Sequence, residues 1–539
     1  MSRFLMWAVA GAAATVVAAG CGGESTTDTG GSGGGGSGTA NQGPAKAGGT
    51  MTVALAEDPD LLDPTLARTF VGRIVFANLC EKLYDVDQNL QIVPQLAASL
   101  PKIANGGKSV TIDIRKGIKF NDGTTLDAQA VKKSLDRHRE LKASSRASEL
   151  EPVKSVEAVD DDTVRLSLDG PYAPLTAQLA DRSGMVLSPK QVDKLGDKFS
   201  NDPVCVGPFQ FVSRKEGDQI VLKKAPDYYD ASKVKLDRLV FRIIEEGSAR
   251  SANLRSGDVN VAERLDPTDL AAIRSDSNLQ LMDRTSLGYQ GITINVGNKN
   301  GLGEKYENVG TPLAEHKELR QALSLALDRD AISKIVYQGN VVPGCGPLSP
   351  VSPYYDKGLK CPARDLAKAK QLVQQSGVPT PVPVKLMLNT DAVTLRLGQT
   401  IQAMAKEAGF NVQLQPTEFT SALDKGDAGD FDAFQLGWSG RIDPDGNIQQ
   451  FVGSTGSQND SGYTNDALDK TLDQGRSELD KAKRMQIYQQ ATQSMLDESP
   501  LIYLFHDKYF TGAGKNVTGL QFFGDGLLRF KEAGFTSGS

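Results

Sequence analysis

Apolar and polar residues alternate in Thr50-Met-Thr-Val-Ala-Leu-Ala56, the period of a strand with one buried face, and the run ends in an Asp- and Pro-rich turn beginning at Glu57. A helix is predicted next, from about Val71 to Leu83. Val110, Ile112 and Ile114 then fall on one side of a second strand, with Thr111 and Asp113 on the other. After the turn Asn121-Asp-Gly123, Asp127 is placed to cap a helix that runs through Ala130, Val131 and Leu135. His138 rides on that helix, where a solvated or partly packed ring is expected rather than a ligand. Further strands are predicted at Thr163–Leu168, after the Gly-Pro turn at Gly207-Pro208, and from Lys235 to Ile244. The second half keeps the same grammar. Its expected elements are a strand at Tyr289–Asn295, a helix carrying Leu319, Ala322, Leu323, Ala326 and Leu327, a strand at Val384–Leu388, a helix around Leu395–Ala408, and a strand at Asn411–Leu414. Two more helices precede the apolar strand Pro500–Phe505. Strands and helices taking turns along the whole chain are the pattern of α/β architecture, and no solenoid-type repeat interrupts it.

The N-terminal segment breaks that pattern. Met1-Ser-Arg3, an apolar stretch from Phe4 to Ala19 and then Gly20-Cys21 read as an export signal, residues 1–20. Val17-Ala-Ala-Gly-Cys21 resembles a bacterial lipobox with Ala18 in place of the usual leucine, so Cys21 is the expected lipidation site; a plain signal peptide or an uncleaved anchor is the alternative. Residues 21–47, rich in Gly and Ser, are expected to act as a flexible leash. Among 539 residues, 39% hydrophobic and 23% charged, the remainder has globular composition and room for two to four domains. A formal net charge of -6 with no Lys/Arg cluster offers no footprint for nucleic acid. With Cys21 lipidated, Cys80, Cys205, Cys345 and Cys361 remain, which permit three pairings in an exported protein. Cys345 with Cys361 and Cys80 with Cys205 are the expected bridges, against four buried free thiols as the alternative.

Signatures of catalysis are weak. Gly30-Gly-Ser32-Gly-Gly34 matches G-x-S-x-G only by composition, and Gly107-Lys108-Ser109 lacks the first glycine of a phosphate loop, whose place Lys102 takes. Asp85-Val-Asp87-Gln-Asn89 starts like a calcium loop, but Leu90 stands where glycine is required. No C-x-x-C occurs and there are three histidines, so neither a metal nor another cofactor is expected. What does stand out is Phe434-Gln-Leu-Gly-Trp-Ser-Gly-Arg-Ile-Asp-Pro-Asp-Gly-Asn447. It holds the one tryptophan beyond residue 20, at the end of a strand-like run and beside an arginine.

Several stretches together carry a resemblance. They are "GGTMTVALAEDPDLLDPT" from Gly48, "NLCEKLYDVDQNLQIVPQLAASLP" from Asn78, "IRKGIKFNDGTTLDAQAV" from Ile114, "PVCVGPFQF" from Pro203, "LRQALSLALDRDAISKIVYQG" from Leu319 and "SPLIYLFHDKYF" from Ser499. In this order, over residues 48 to 530, the chain resembles the peptide/nickel family, family 5, of extracellular solute-binding lipoproteins that serve ABC importers. The resemblance implies an α/β, two-lobe periplasmic-binding-protein clamshell of type II, in the large cluster with an extra inserted subdomain. Lobe I would take 48–288, with the inserted subdomain at about 79–200, lobe II 289–505, and the tail 506–539 would return to lobe I. It also implies a monomer without enzymatic activity, exported and lipid-anchored at Cys21 to the outer face of the cell membrane, with ABC permease subunits as partners. Its cargo would be short peptides; a nickel-chelate, an opine, a glycoside or an anionic conjugate is the alternative, and an exported hydrolase the competitor from another class.

The same resemblance assigns a site. In relatives the strand ending in Gly-Trp lines the cleft, which makes Gly437 and Ser439 backbone partners of a ligand and Trp438 its platform, unless Trp438 is simply core. Two positions after Ser439, peptide receptors of the family commonly place an aspartate for the ligand's ammonium group; this chain has Arg441. A guanidinium there would hold a ligand carboxylate, pair with Asp443 or Asp445, or face solvent. Asn447, and Thr69, Phe70 and Arg73 in the early loop, complete the candidate ligand contacts.

Overall fold

The computed structural model of the chain describes residues 43–536, so the export signal, Cys21 and most of the Gly/Ser-rich leash lie outside the described residues. Two sheets organise the rest. The first has seven strands, in the order Leu279–Thr285, Lys508–Gly514, Val261–Ala262, Thr50–Leu55, Arg238–Ile243, Gln219–Lys224 and Phe209–Lys215. The alternating segment Thr50–Leu55 lies in its middle, parallel to Arg238–Ile243, with Met51 opposite Leu239 and Val53 opposite Phe241. The second has six strands, in the order Val342–Pro343, Leu501–His506, Tyr289–Ile294, Ala433–Trp438, Val382–Leu388 and Phe410–Pro416. Its central strand Tyr289–Ile294 is buried at every position but Gln290, because helices cover the sheet. Leu319, Ala322, Leu323 and Ala326 of the helix Lys317–Ala326 bury their stripe in one core with Ile292, Ile294 and Leu504.

The chain passes from the first sheet to the second between Thr285 and Tyr289, and returns between His506 and Lys508. These two crossings touch. Ser286 N–H donates to Asp507 O at 2.8 Å, Gln290 Nε2 donates to Asp507 Oδ2 at 2.8 Å, and His506 Nδ1 lies 2.7 Å from Gly288 O. A carbonyl only accepts, so that imidazole nitrogen carries its proton. A smaller four-stranded sheet, Lys102–Ala104, Ser109–Asp113, Thr163–Leu168 and Val153–Ala158, packs on the helix Ala128–Glu140, whose N-cap Asp127 accepts from Ala130 N–H at 2.8 Å as expected.

Two expectations need correction. The early helix spans Phe70–Leu79 and stops short of Leu83, because Cys80 turns into extended backbone and Glu81 N–H donates to Val206 O at 2.7 Å instead of continuing the helix. The Cys80–Cys205 bridge fastens that turn. His138 is fully buried rather than half-packed, lying 2.9 Å from Thr65 Oγ1 and 3.0 Å from Met185 O. Burial holds its pKa down at about 4, against the weaker upward pull of the Met185 carbonyl, and it stays neutral as a core histidine. The second bridge joins Cys345 and Cys361 across 5.4 Å between Cα atoms. Among the described residues no helix is long and apolar enough to cross a membrane.

Candidate functional site

The strand Ala433–Trp438 starts inside the second sheet and ends at an edge. Tyr289–Ile294 pairs along its whole length, down to Tyr289 opposite Trp438, whereas Val382–Leu388 meets it only at Ala433 and Phe434. From Gln435 onward one flank has no partner strand among the described residues, which is what an extended chain needs if it is to add itself as a further strand.

Beyond Trp438 the backbone reverses against the crossing between the sheets. Gly440 has φ +81°, and a Cβ there would sit 2.3 Å from the Leu287 carbonyl carbon; a Cβ on Gly288 would sit 1.8 Å from Trp438 O. Both positions therefore require glycine. Asn447 ties the reversal together. Its Oδ1 accepts from Trp438 Nε1 at 3.1 Å and from Arg441 N–H at 2.7 Å, and its Nδ2 donates to Arg441 O at 2.8 Å and Asp443 O at 3.4 Å. All four hydrogen-bonding positions of the amide are used. Asn447 is thus a buried brace of the turn.

Trp438 is half-buried. Its ring meets Phe451 edge-on at 4.9 Å, and the Arg441 guanidinium lies 4.1 Å from its ring centre. Arg441, 7% exposed, does not face solvent. Nor does it pair with Asp443 or Asp445. Arg484 grips Asp443 with two nitrogens at 2.7 and 2.8 Å, and Arg476 sits 3.2 Å from Asp445. Both arginines come from the helices Asp466–Ser477 and Lys481–Glu498 that pack beyond the turn. Arg441 reaches across the cleft instead, placing Nε 3.1 Å from Asp181 Oδ2. Arg73, on the first-sheet side, holds the same carboxylate at 3.2 Å through Nε and 2.8 Å through Nη2. Ser439 Oγ accepts from Arg73 at 3.4 Å and from Arg441 at 3.3 Å. Burial alone would raise the Asp181 pKa, but Arg73, then Arg441 and Arg182, hold it well below the usual carboxylate range. For Arg441 burial wins, pulling the guanidinium down to about 10 against the pull of Asp181.

Other contacts cross the cleft beside this one. Ala173 N–H donates to Arg476 O at 2.8 Å, Ser148 Oγ to Ser457 Oγ at 3.0 Å, and Arg68 lies 2.9 Å from Asp427 and 3.7 Å from Asp424. Of the early-loop candidates, Arg73 is in the cleft. Phe70 stacks on Tyr509 at 5.3 Å with Arg264 5.5 Å from its ring centre. Thr69 bonds Asp60 through its hydroxyl, at 2.8 Å, and its N–H. Gly437 sits opposite Gln290, whose side chain fills the space a Cβ would take. Asp85, first in the calcium-like stretch, is engaged by Lys82 at 2.6 Å and Arg529 at 3.2 Å. Sequence reasoning missed Asp181, Arg182, Arg146 and Glu149. Glu149 and Arg182 belong to two short turns, Ala147–Glu149 and Arg182–Gly184, and Arg146 and Asp181 are the residues that cap them, with no periodicity around to mark their place.

Two sheets joined by a double crossing, with ionised side chains meeting across the gap between them, define a two-lobed solute-binding protein. Residues 91–459 match the family described as bacterial extracellular solute-binding proteins, family 5 Middle, and the chain belongs to that family. It is 26% identical over 514 residues to the glutathione-binding protein GsiB of Pectobacterium atrosepticum, covering 92% of this chain and 95% of the relative. Among solved structures, it is similar to the oligopeptide-binding protein AppA from Bacillus subtilis in complex with a nonapeptide, with a TM-score of 0.82, 24% identity, and coverage of 91% of this chain and 99% of that one. AgaA of A. tumefaciens R10, in complex with agropinic acid, superposes with a TM-score of 0.80 at 26% identity and the same coverage.

Proposed function

We propose that this protein is the receptor component of an ABC importer, which captures short peptides in the cleft between its lobes and presents the closed form to the permease without performing chemistry itself. The lobes are taken as 48–288 with the tail from 506, and 289–505. The observation that carries the reading is the free flank of Gln435–Trp438 at the mouth of the cleft, where peptide backbone can add as a strand and Trp438 lines the seat. Peptide and glutathione binding by the relatives supports it. A ligand that touches both lobes at once adds to the contacts that already join them across the cleft, and so favours the closed form further. Export and a lipid at Cys21 fit a receptor that must stay beside its permease. Mass spectrometry of small molecules that co-purify with the protein tests the cargo, with a peptide of two to several residues as the expected result. A thermal-shift screen against tripeptides, run beside a hydrolysis assay on the same peptides, is expected to show stabilisation without turnover; cleavage of the peptides would refute the receptor reading. Detergent-phase partitioning that is lost on Cys21→Ser tests the anchor.

A further inference from the structure

The two disulfide bridges differ in access. Cys80 and Cys205 are both buried, whereas Cys345 is buried and its partner Cys361 is exposed. That exposed half closes an irregular stretch of chain. From Gly344 to Asp365 there is neither helix nor strand, far beyond the usual connection of about 4–6 residues. One end is pinned by Gly344 N–H to Leu504 O at 3.2 Å, in the strand that leads to the crossing between the sheets, and the other by Asp365 N–H to Leu325 O at 3.0 Å. Between the cysteines, Leu348 is buried and Tyr354 half-buried in the apolar cluster that holds Tyr289, Ile448 and Tyr503, and Trp438 packs on the same cluster. The segment is otherwise lightly held. Its backbone hydrogen bonds, Ser352 to Ser349, Tyr355 to Ser352 and Leu359 to Asp356, stay within it. Among the described residues one hydrogen bond ties 346–360 to the rest of the protein, from Arg484 Nη1 to Tyr354 Oη at 3.0 Å. Arg484 is also the residue that grips Asp443 in the turn beyond Trp438.

The structure assigns the Cys345–Cys361 bridge as a redox clasp, a site of thiol–disulfide exchange that a dithiol reductant opens at Cys361, freeing the strap 346–360 and loosening the seat of Trp438. Exchange needs a thiolate and a sulfur it can reach, and access selects Cys361 over the three buried cysteines. The reductant's first thiolate bonds to Cys361 Sγ as the bond to Cys345 breaks, and the electron pair leaves on Cys345 Sγ, which takes up a proton. The reductant's second thiol then displaces Cys361 and closes as the reductant's own disulfide. The protein gains two electrons and two protons, and an oxidised dithiol reverses the sequence. Once cut, the strap regains the chain freedom that the bridge removes, with Leu348, Tyr354 and one hydrogen bond left to hold it. The clasp works in this way whatever the cleft binds.

Limiting dithiothreitol added to the purified full chain tests it, with samples quenched in iodoacetamide over time and the labelled peptides measured by mass spectrometry. Cys345 and Cys361 are expected to be labelled at least tenfold faster than Cys80 and Cys205. In the partly reduced protein, trypsin cleavage after the exposed Lys357 and Lys360 is expected to rise at least fivefold, and Trp438 emission to move to longer wavelength. Oxidised dithiothreitol is expected to return both to their starting values. Cys361→Ser should show the loosened state without reductant and no further response to it; the wild-type comparison stands even if the variant does not fold. Equal labelling rates at the two bridges overturn the clasp. Selective opening of Cys345–Cys361 that leaves cleavage and emission unchanged overturns it as well, since the bridge would then hold nothing that its loss releases.

Discussion

The residue with the widest reach beside the cleft is Asn447, whose amide spends every polar position within the protein. Its amide holds the indole nitrogen of Trp438, both ends of the Arg441 peptide unit and the Asp443 carbonyl in one arrangement, so the positions of platform and guanidinium depend on it. Asn447→Ala leaves a buried backbone N–H and an indole N–H without acceptors, and is expected to cost about 1–3 kcal/mol in urea unfolding. Trp438 fluorescence should move to longer wavelength as the ring loosens; unchanged emission and stability would show that the turn holds without its brace. Arg441 could be singled out from sequence because it departs from a pattern. Its partner could not, because Asp181 comes from a distant part of the chain and the nearer candidates, Asp443 and Asp445, belong to arginines of helices that fold over the same turn.

At the scale of elements, period alone located the strands that carry the site. Tyr289–Ile294, Val382–Leu388 and Leu501–His506 lie within one or two residues of their expected places, since a strand in a covered sheet spends most of its positions on apolar or small residues. Stops were harder to see, as at Cys80, where a bridge and a single hydrogen bond to Val206 end a helix whose composition would allow it to continue. Loops hold the least legible feature, buried charge. Asp460, in the loop after the helix Asp445–Val452, has a buried Oδ1 without a partner. Burial, and then Asp427, raise its pKa to about 7 against the pull of Arg68. A raised folded-state pKa means that the fold binds a proton more tightly than the unfolded chain. Its stabilising contribution is present below the unfolded value near 3.8 and is lost as pH rises through about 7. Asp460→Asn, which mimics the protonated form, is therefore expected to match wild type near pH 4 and to exceed it by about 1–3 kcal/mol at pH 8. Denaturant unfolding at the two pH values checks this, and an equal effect at both would contradict it.

Across the whole molecule the order of strands and helices in sequence indicated an α/β protein of more than one domain, while the contacts that decide its shape join residues too far apart for any local pattern to show. The lobes meet through unequal contacts. Arg68 with Asp424 and Asp427 is substantially exposed, and such pairs contribute about 0–1 kcal/mol and weaken in salt. Asp181 with Arg73 and Arg441 is buried, where screening is small and removal of one partner typically costs about 3–5 kcal/mol. In Asp181→Asn that cost falls on the closed form, because Arg73 and Arg441 would face each other at close range without a carboxylate between them. Opening relieves it by hydrating both. The expected outcome for the ligand-free variant is a larger radius of gyration in small-angle X-ray scattering than for wild type, whereas 0.5 M NaCl changes the wild-type curve little. A cargo bearing a carboxylate should restore the compact curve of the variant, since it returns the charge that the substitution removed, and a neutral peptide of the same length should restore it less. Superimposable scattering of the two ligand-free proteins would mean that Asp181 does not set closure, and the hinge contacts around Gly288, Asp507 and Gln290 would then have to carry it.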